Sequence, residues 1–450
     1  MESNPTSSSV RRSRDLSSFE RAQLLTAESS PFNLVIGLGV EGTLAEESLR
    51  AALGHLQLTH PLLAARLIGK PATARFELGG VPPIPLRALR RTPETNWIAA
   101  VEAELSTGFD RQSGPLMRCI LLGPERAGGR QDIILTFHHV IVDAASAFSI
   151  IHDLLGLCGT ETPATRPPPS AELPPSADSL FPGRYRGVSR AWASCRFLAR
   201  EMADELAYRW RTRAHPARPH PGKARCRALP LALSESETET LVRATRIRRL
   251  TLNTALNAAL LVALVRRRYP GTTLPHRYFL FPTLRPHLEP PVPAHCDGSY
   301  LTTLRLTVTA SDSSDVWALA AEIQDQVGQA GERGDKFLAA LFSPLSMKLV
   351  LAQSARRMGT IGLSYTGARP FEERHGDLRL TGLHAFVSNL PIGPEYTAQA
   401  RIFRGRLWLD ILYLDVDMSE DQAQTIADEL RTVLTEATAS ARQPAARGNA

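Results

Sequence analysis

A cluster of prolines limits what this chain can fold into more than any other feature. Pro163, Pro167–Pro169, Pro174, Pro175 and Pro182 crowd in among Ser, Thr and Ala just after Cys158. Such a run holds neither a helix nor an interior strand, because each ring fixes φ and removes a backbone donor. It reads as a semi-rigid linker or surface crossover. With 450 residues, the chain has room for more than one core on either side of it. The simplest partition is a first half of residues 1–185 and a second of 186–450, with a groove between them as a natural place for a site.

Both flanks carry the rhythm of a mixed α and β protein. Strands are expected at Phe32–Leu38, Met117–Leu122, Asp132–Phe137, Arg277–Phe281, Thr302–Val308, Thr381–Ser388 and Leu407–Tyr413. Leu49, Leu53, Leu56 and His60 recur every three or four residues, the spacing of one helix face, and Pro61 ends that helix. Further helices are expected over Thr95–Leu105, Val188–Arg213, Ser236–Arg246, Thr251–Tyr269, Ser314–Gln329 and Ser419–Ser440. A basic Pro/His-rich piece, 214–227, reads as a loop, and 441–450 as a frayed tail.

Several classes are disfavoured. No apolar run reaches the ~20 residues of a membrane span, and the polar start lacks the apolar stretch of a signal peptide. Five scattered cysteines (119, 158, 195, 226 and 296) show no metal or disulfide spacing, so a reducing cytoplasm and no metal are expected. The net charge of +7 is spread along the chain rather than gathered in a nucleic-acid stripe. Gly37–Gly42 fits G-x-G-x-x-G but lacks the downstream acid of a dinucleotide site, and no G-x-S-x-G elbow is present. His152 and Asp153 read as a solvated helix face.

The stretch Ile133–Ser146 carries the chemistry. An apolar strand runs into His138 and His139, then Asp143, Ala144 and Ser146. Adjacent strand residues face opposite ways, so the two imidazoles cannot serve one atom. One suits the core and the other a cleft, where an imidazole can take a proton near neutral pH.

His138–Ala144 resembles the H-H-x-x-x-D-G motif of the condensation-domain and coenzyme A-dependent acyltransferase superfamily, which includes polyketide-associated acyltransferases and stand-alone condensation enzymes. Four segments follow the family's order: His60–Arg66 resembles H-P-x-L-x-x-R, Phe109–Arg118 F-D-x-x-x-G-P-L-x-R, Phe281–Arg285 the N-L-R element, and Ser364–Gly367 S-N-x-G. The resemblance implies an α/β chain with mixed α+β-type sheets: two chloramphenicol-acetyltransferase-like halves set in a V around a tunnel. It implies His139 as general base, His138 and Asp143 as structural residues, and Arg285 as the partner of Asp143. Ala144, Ser146, Ser364, Tyr365 and Gly367 become tunnel or donor-side candidates.

No cofactor is expected to stay bound. The donor would be a phosphopantetheine thioester, on coenzyme A or an acyl carrier protein, and the acceptor a small alcohol or, second, an amine. A monomer is expected, with no nucleic acid and no integral membrane association. Ala144, Thr283 and Tyr365 depart from the family's Gly, Asn and Asn. These departures leave a rival reading open, a degenerate domain that binds a carrier protein without catalysis.

Overall fold

The computed structural model describes residues 12–123, 129–159, 172–185, 187–213, 224–352, 357–367 and 371–439. Most of the proline segment, most of the basic piece 214–227 and the tail 441–450 lie outside them. The first half runs β1 (Ser13–Asp15), α1 (Ser18–Ser29), β2 (Asn33–Glu41), α2 (Glu46–Thr59), β3 (Ala65–Ile68) and β4 (Arg75–Leu78). It continues with β5 (Leu86–Arg90), α3 (Trp97–Leu105), β6 (Met117–Gly123), β7 (Gln131–His138) and α4 (Ala144–Gly159). The second half runs α5 (Gly187–Arg211), β8 (Cys226–Ala232), α6 (Glu235–Ile247), α7 (Leu252–Arg268), β9 (Leu274–Leu280) and β10 (Leu304–Ala310). Then come α8 (Val316–Arg333), α9 (Asp335–Ala352), β11 (Gly359–Tyr365), β12 (Arg374–His375), β13 (Leu378–Val387), β14 (Pro394–Phe403), β15 (Arg406–Leu414) and α10 (Glu420–Ala439).

Two six-stranded mixed sheets organise the chain. The first has the order β12-β13-β2-β7-β6-β5 and the second β10-β9-β11-β14-β15-β8. The sheets do not follow chain order, since β12 and β13 leave the second half and pair along β2 in the first sheet. Near-continuous apolar sequence in β2 and β7 matches strands covered on both faces, and every residue of β2 except Glu41 is buried. Helix α7 is buried from Thr254 through Val265 and forms the centre of the second core. Among the described residues, no helix is long and apolar enough to cross a membrane.

Local chemistry explains most element ends. Ser17 and Glu20 form a reciprocal capping box on α1, and Ser234 with Glu237 does the same for α6. Thr251 caps α7, and Asp315 caps α8, which ends on Gly334 in the left-handed region. Helix α9 carries Pro344 in its interior, and that proline hides the helix from a reading of periodicity.

His60 sits just past α2 as its C-cap and ties three segments together. Its Nδ1 lies 2.8 Å from Asp297 Oδ1, and its Nε2 lies 3.2 Å from Asp153 Oδ2 on α4. Asp153 is therefore not a solvated residue; it turns inward because a buried imidazole needs a partner there. Only an imidazolium can donate from both nitrogens. Burial alone would lower the His60 pKa, but the bonds to Asp153 and Asp297 and their charges outweigh it and raise the value to about 9.

A folded pKa above the unfolded one stabilises the fold fully below the unfolded value, near 6.5, and the gain is lost as pH rises through about 9. Urea denaturation of wild type and His60→Gln across that window should show a gap that is widest in mild acid and closes toward pH 9. A gap independent of pH would refute the imidazolium.

Candidate active site

Strand β7 ends on His138, and His139 begins the turn into α4. The two rings part, His138 toward Phe109 and His139 toward Phe32. His138 is buried beside Phe109, and its Nδ1 accepts the Val140 N–H at 3.3 Å. Burial, reinforced by the charges of His139, Arg111 and Arg118, pushes its pKa down to about 3. It is a neutral packing residue.

His139 faces a cavity of about 2020 Å³. The ring is held on one side by Phe32, stacked at 5.1 Å between centroids. Its Nδ1 lies 3.0 Å from the Val142 carbonyl oxygen. A carbonyl only accepts, so Nδ1 carries the proton and Nε2 keeps a lone pair. Its backbone is fixed as well: the N–H donates to Phe32 O, and the C=O accepts from Gln23 Nε2 at 3.2 Å. Burial lowers the pKa of the ring against the opposing bond to Val142, so the imidazole is neutral at pH 7.

Asp143 does different work. Arg285 Nε and Nη2 donate to its two oxygens at 2.8 and 2.9 Å, a buried bidentate pair between the halves. Tyr300 N–H and Ser146 N–H donate to the same carboxylate at 3.1 and 3.0 Å. The remaining Arg285 donors reach the carbonyls of Pro293, Cys296 and Gly298, and the guanidinium lies 4.8 Å over the Tyr300 ring. The Gly298 carbonyl also accepts Asp143 N–H at 3.1 Å. Gly298 has φ +130, and a Cβ there would sit 2.7 Å from the Tyr300 ring, so only glycine fits.

Of the tunnel candidates, Ala144, Ser364 and Tyr365 line the cavity, whereas Ser146 and Gly367 are not among its lining residues. The Ser146 hydroxyl is 3.2 Å from both Asp143 Oδ1 and Gly298 O. Ala144 opens α4 without a positive φ, so its backbone accepts a methyl group as readily as glycine. Thr283, where the family has asparagine, accepts the Arg285 N–H at 3.3 Å through its hydroxyl. Burial raises the pKa of the Tyr365 phenol, which is a neutral hydroxyl on the cavity wall.

Sequence reasoning found the two histidines, the aspartate and its arginine. It did not find the Val142 carbonyl, Phe32, Gln23 or the Pro293–Tyr300 loop, and the Asp297-Gly298 turn signal is the one trace of that loop. Away from the cavity, ligand atoms of His152, Glu372 and His375 lie within 4.8 Å of one another, but His375 Nε2 is already 3.0 Å from Glu372 O.

Removing Asp143 leaves Arg285 buried with an uncompensated charge. Asp143→Ala should cost about 3–5 kcal/mol of stability, read as a fall in the midpoint of chemical denaturation. A loss within the scatter of surface substitutions would show that the pair does not hold the halves.

Comparison with known proteins bears on the fold that carries this site. A family model, the phthiocerol/phthiodiolone dimycocerosyl transferase C-terminus, matches residues 222–412, beyond the His138–Asp143 motif. Phosphinothricin tripeptide synthetase PhsC of Streptomyces viridochromogenes is 29% identical over 197 residues, 42% of this chain and 17% of that protein. The chain thus spans less than a fifth of that relative. Trichothecene 15-O-acetyltransferase TRI3 of Fusarium sporotrichioides superposes with a TM-score of 0.75 at 14% identity, covering 97% of each chain. Polyketide synthase associated protein 5 of Mycobacterium tuberculosis gives 0.65 at 18% identity, over 94% of this chain and all of that one. The structural likenesses carry the fold of two chloramphenicol-acetyltransferase-like halves. The sequence matches, each over less than half of the chain, are to a dimycocerosyl transferase C-terminus and a tripeptide synthetase.

Proposed function

We propose that this protein moves an acyl group from a phosphopantetheine thioester, on coenzyme A or an acyl carrier protein, to an alcohol, with an amine as the second choice of acceptor. The observation that carries the reading is the tautomer of His139: the Val142 carbonyl holds the proton on Nδ1, and the cavity-lining ring keeps a basic Nε2.

In this mechanism Nε2 takes the proton from the acceptor hydroxyl as its oxygen attacks the thioester carbon. The carbon–sulfur bond then breaks, and the imidazolium returns the proton to the departing thiolate. Ester and free thiol result, with no acyl-enzyme. A positioned general base supplies about 10²–10⁴-fold, and holding both reactants in one cavity supplies further acceleration. Asp143 and Arg285 fix the turn that carries the base and take no proton. The relatives whose names denote acyl or peptide bond formation support this class of reaction, as does a cavity lined by both halves.

The test is thiol release from a panel of acyl-coenzyme A and acyl-carrier-protein donors, with alcohol and amine acceptors, for wild type and His139→Ala. Acceptor-dependent release that falls about 10²–10⁴-fold in the variant is expected. Release by the folded variant at the wild-type rate would exclude His139 as the base, and none from any donor would favour a carrier-binding module. Because burial lowers the His139 pKa, kcat/KM should stay flat from neutral pH to below the ordinary imidazole value of about 6.5 before falling in acid. An acid limb at or above that value would contradict the buried neutral base.

A further inference from the structure

Helix α5 is inside out. Ala191, Cys195, Ala199, Met202, Ala203 and Leu206 recur at helical spacing and all are solvent-exposed. Trp192 and Trp210 stand at the two ends of this stripe, 69% and 70% exposed. The acidic residues of α5 are taken up in ion pairs with neighbouring arginines, at side-chain exposures of 24–39%. Glu201 pairs with Arg305, Asp204 with Arg277, and Glu205 with Arg277, Arg305 and Arg209. A water-facing helix has the reverse arrangement.

From Ala191 to Trp210 the stripe extends about 28 Å at 1.5 Å per residue. It borders the cavity: Leu198, Met202 and Leu206 of α5 line it, as do Leu345 and Leu349 of α9, which are themselves exposed. Arg196 and Arg211 are exposed along one edge of the stripe, Arg200 between them is paired with Asp335, and Arg213 stacks on Trp210 at 3.9 Å. Lys348 is exposed between Leu345 and Leu349.

We propose that this face docks on an anionic lipid surface, with α5 lying in the plane of the interface. Tryptophans at both ends, an apolar stripe between them and arginines at its border are what an interfacial helix uses. The carboxylates of α5 are neutralised in ion pairs with Arg277 and Arg305, which reduces their opposition to a negative surface. Docking would set the apolar rim of the cavity against the acyl region of the bilayer. The inference does not depend on the acyl-transfer reading.

The test is co-sedimentation of the full chain with phosphatidylcholine vesicles, with and without phosphatidylglycerol. Wild type should pellet with the anionic vesicles and be released by high salt. The double variant Trp192→Glu, Trp210→Glu should partition about tenfold less or weaker still, with an unchanged melting curve. Arg196→Glu leaves the stripe whole and should lose binding to anionic vesicles, so the outcome stands if the double variant folds poorly. The proposal is overturned if wild type stays in the supernatant with both vesicles, or partitions equally onto both. It is also overturned if sedimentation velocity shows a wild-type dimer, without vesicle binding, that the double variant turns into a monomer.

Discussion

The Asp143–Arg285 pair is the constraint from which the site follows. A buried carboxylate and a buried guanidinium are each costly alone, and together they are tolerable only when every lone pair and N–H finds a partner. Here the two share two bonds with each other, two backbone donors reach the carboxylate, and three carbonyls surround the guanidinium. Asp143 belongs to the turn after β7 and Arg285 to the segment after β9, so satisfying the pair brings the halves into register. The same turn presents the Val142 carbonyl to His139. One electrostatic requirement thus fixes the geometry of the base four residues away.

His60 repeats the principle a short distance along the same loop. Asp297 binds it on one side and Asp153 on the other, while neighbouring Gly298 serves Asp143 and Arg285. The Pro293–Tyr300 loop has no regular structure of its own and is held by what it pairs with. Its order is borrowed from α2, α4 and the turn carrying the histidines. A second polar knot lies between the sheets, where Asp410 of β15 accepts from Ala385 N–H of β13 and pairs with His384 and Arg401. The first knot joins elements far apart in sequence and the second joins the two sheets through buried Asp410, His384 and Arg401, so each selects one docking over its alternatives.

How much of this was legible depended on whether the signal was local. Helix α7 and strand β7 were readable because their residues are apolar at a fixed period and end at charged or polar residues. The expected mixed α/β architecture with two such halves is the one observed, and His139 is a neutral cavity-lining imidazole as strand alternation allowed. Helix α9 was not legible because Pro344 contradicts its period, whereas β14, in which Glu395, Thr397, Gln399 and Arg401 alternate with apolar residues, does carry the period-2 pattern of a strand. The inward turn of Asp153 could not be read either: its partner, His60, lies 93 residues away. The inverted face of α5 has an amphipathic period that sequence detects, but period alone does not say which face meets water.

The passage of β13 into the first sheet means that the halves share more than a boundary. Its ten residues cover an edge of β2 whose other side is already taken by β7. Without that covering strand, β2 would present a row of unpaired amides and carbonyls on a segment that is apolar from Leu34 to Val40, an arrangement prone to recruit a foreign strand. The first half emerges from the ribosome some 200 residues before β13 does. Through that interval the nascent chain carries an open, sticky edge, so its own later sequence acts as the missing strand for which it must be kept waiting.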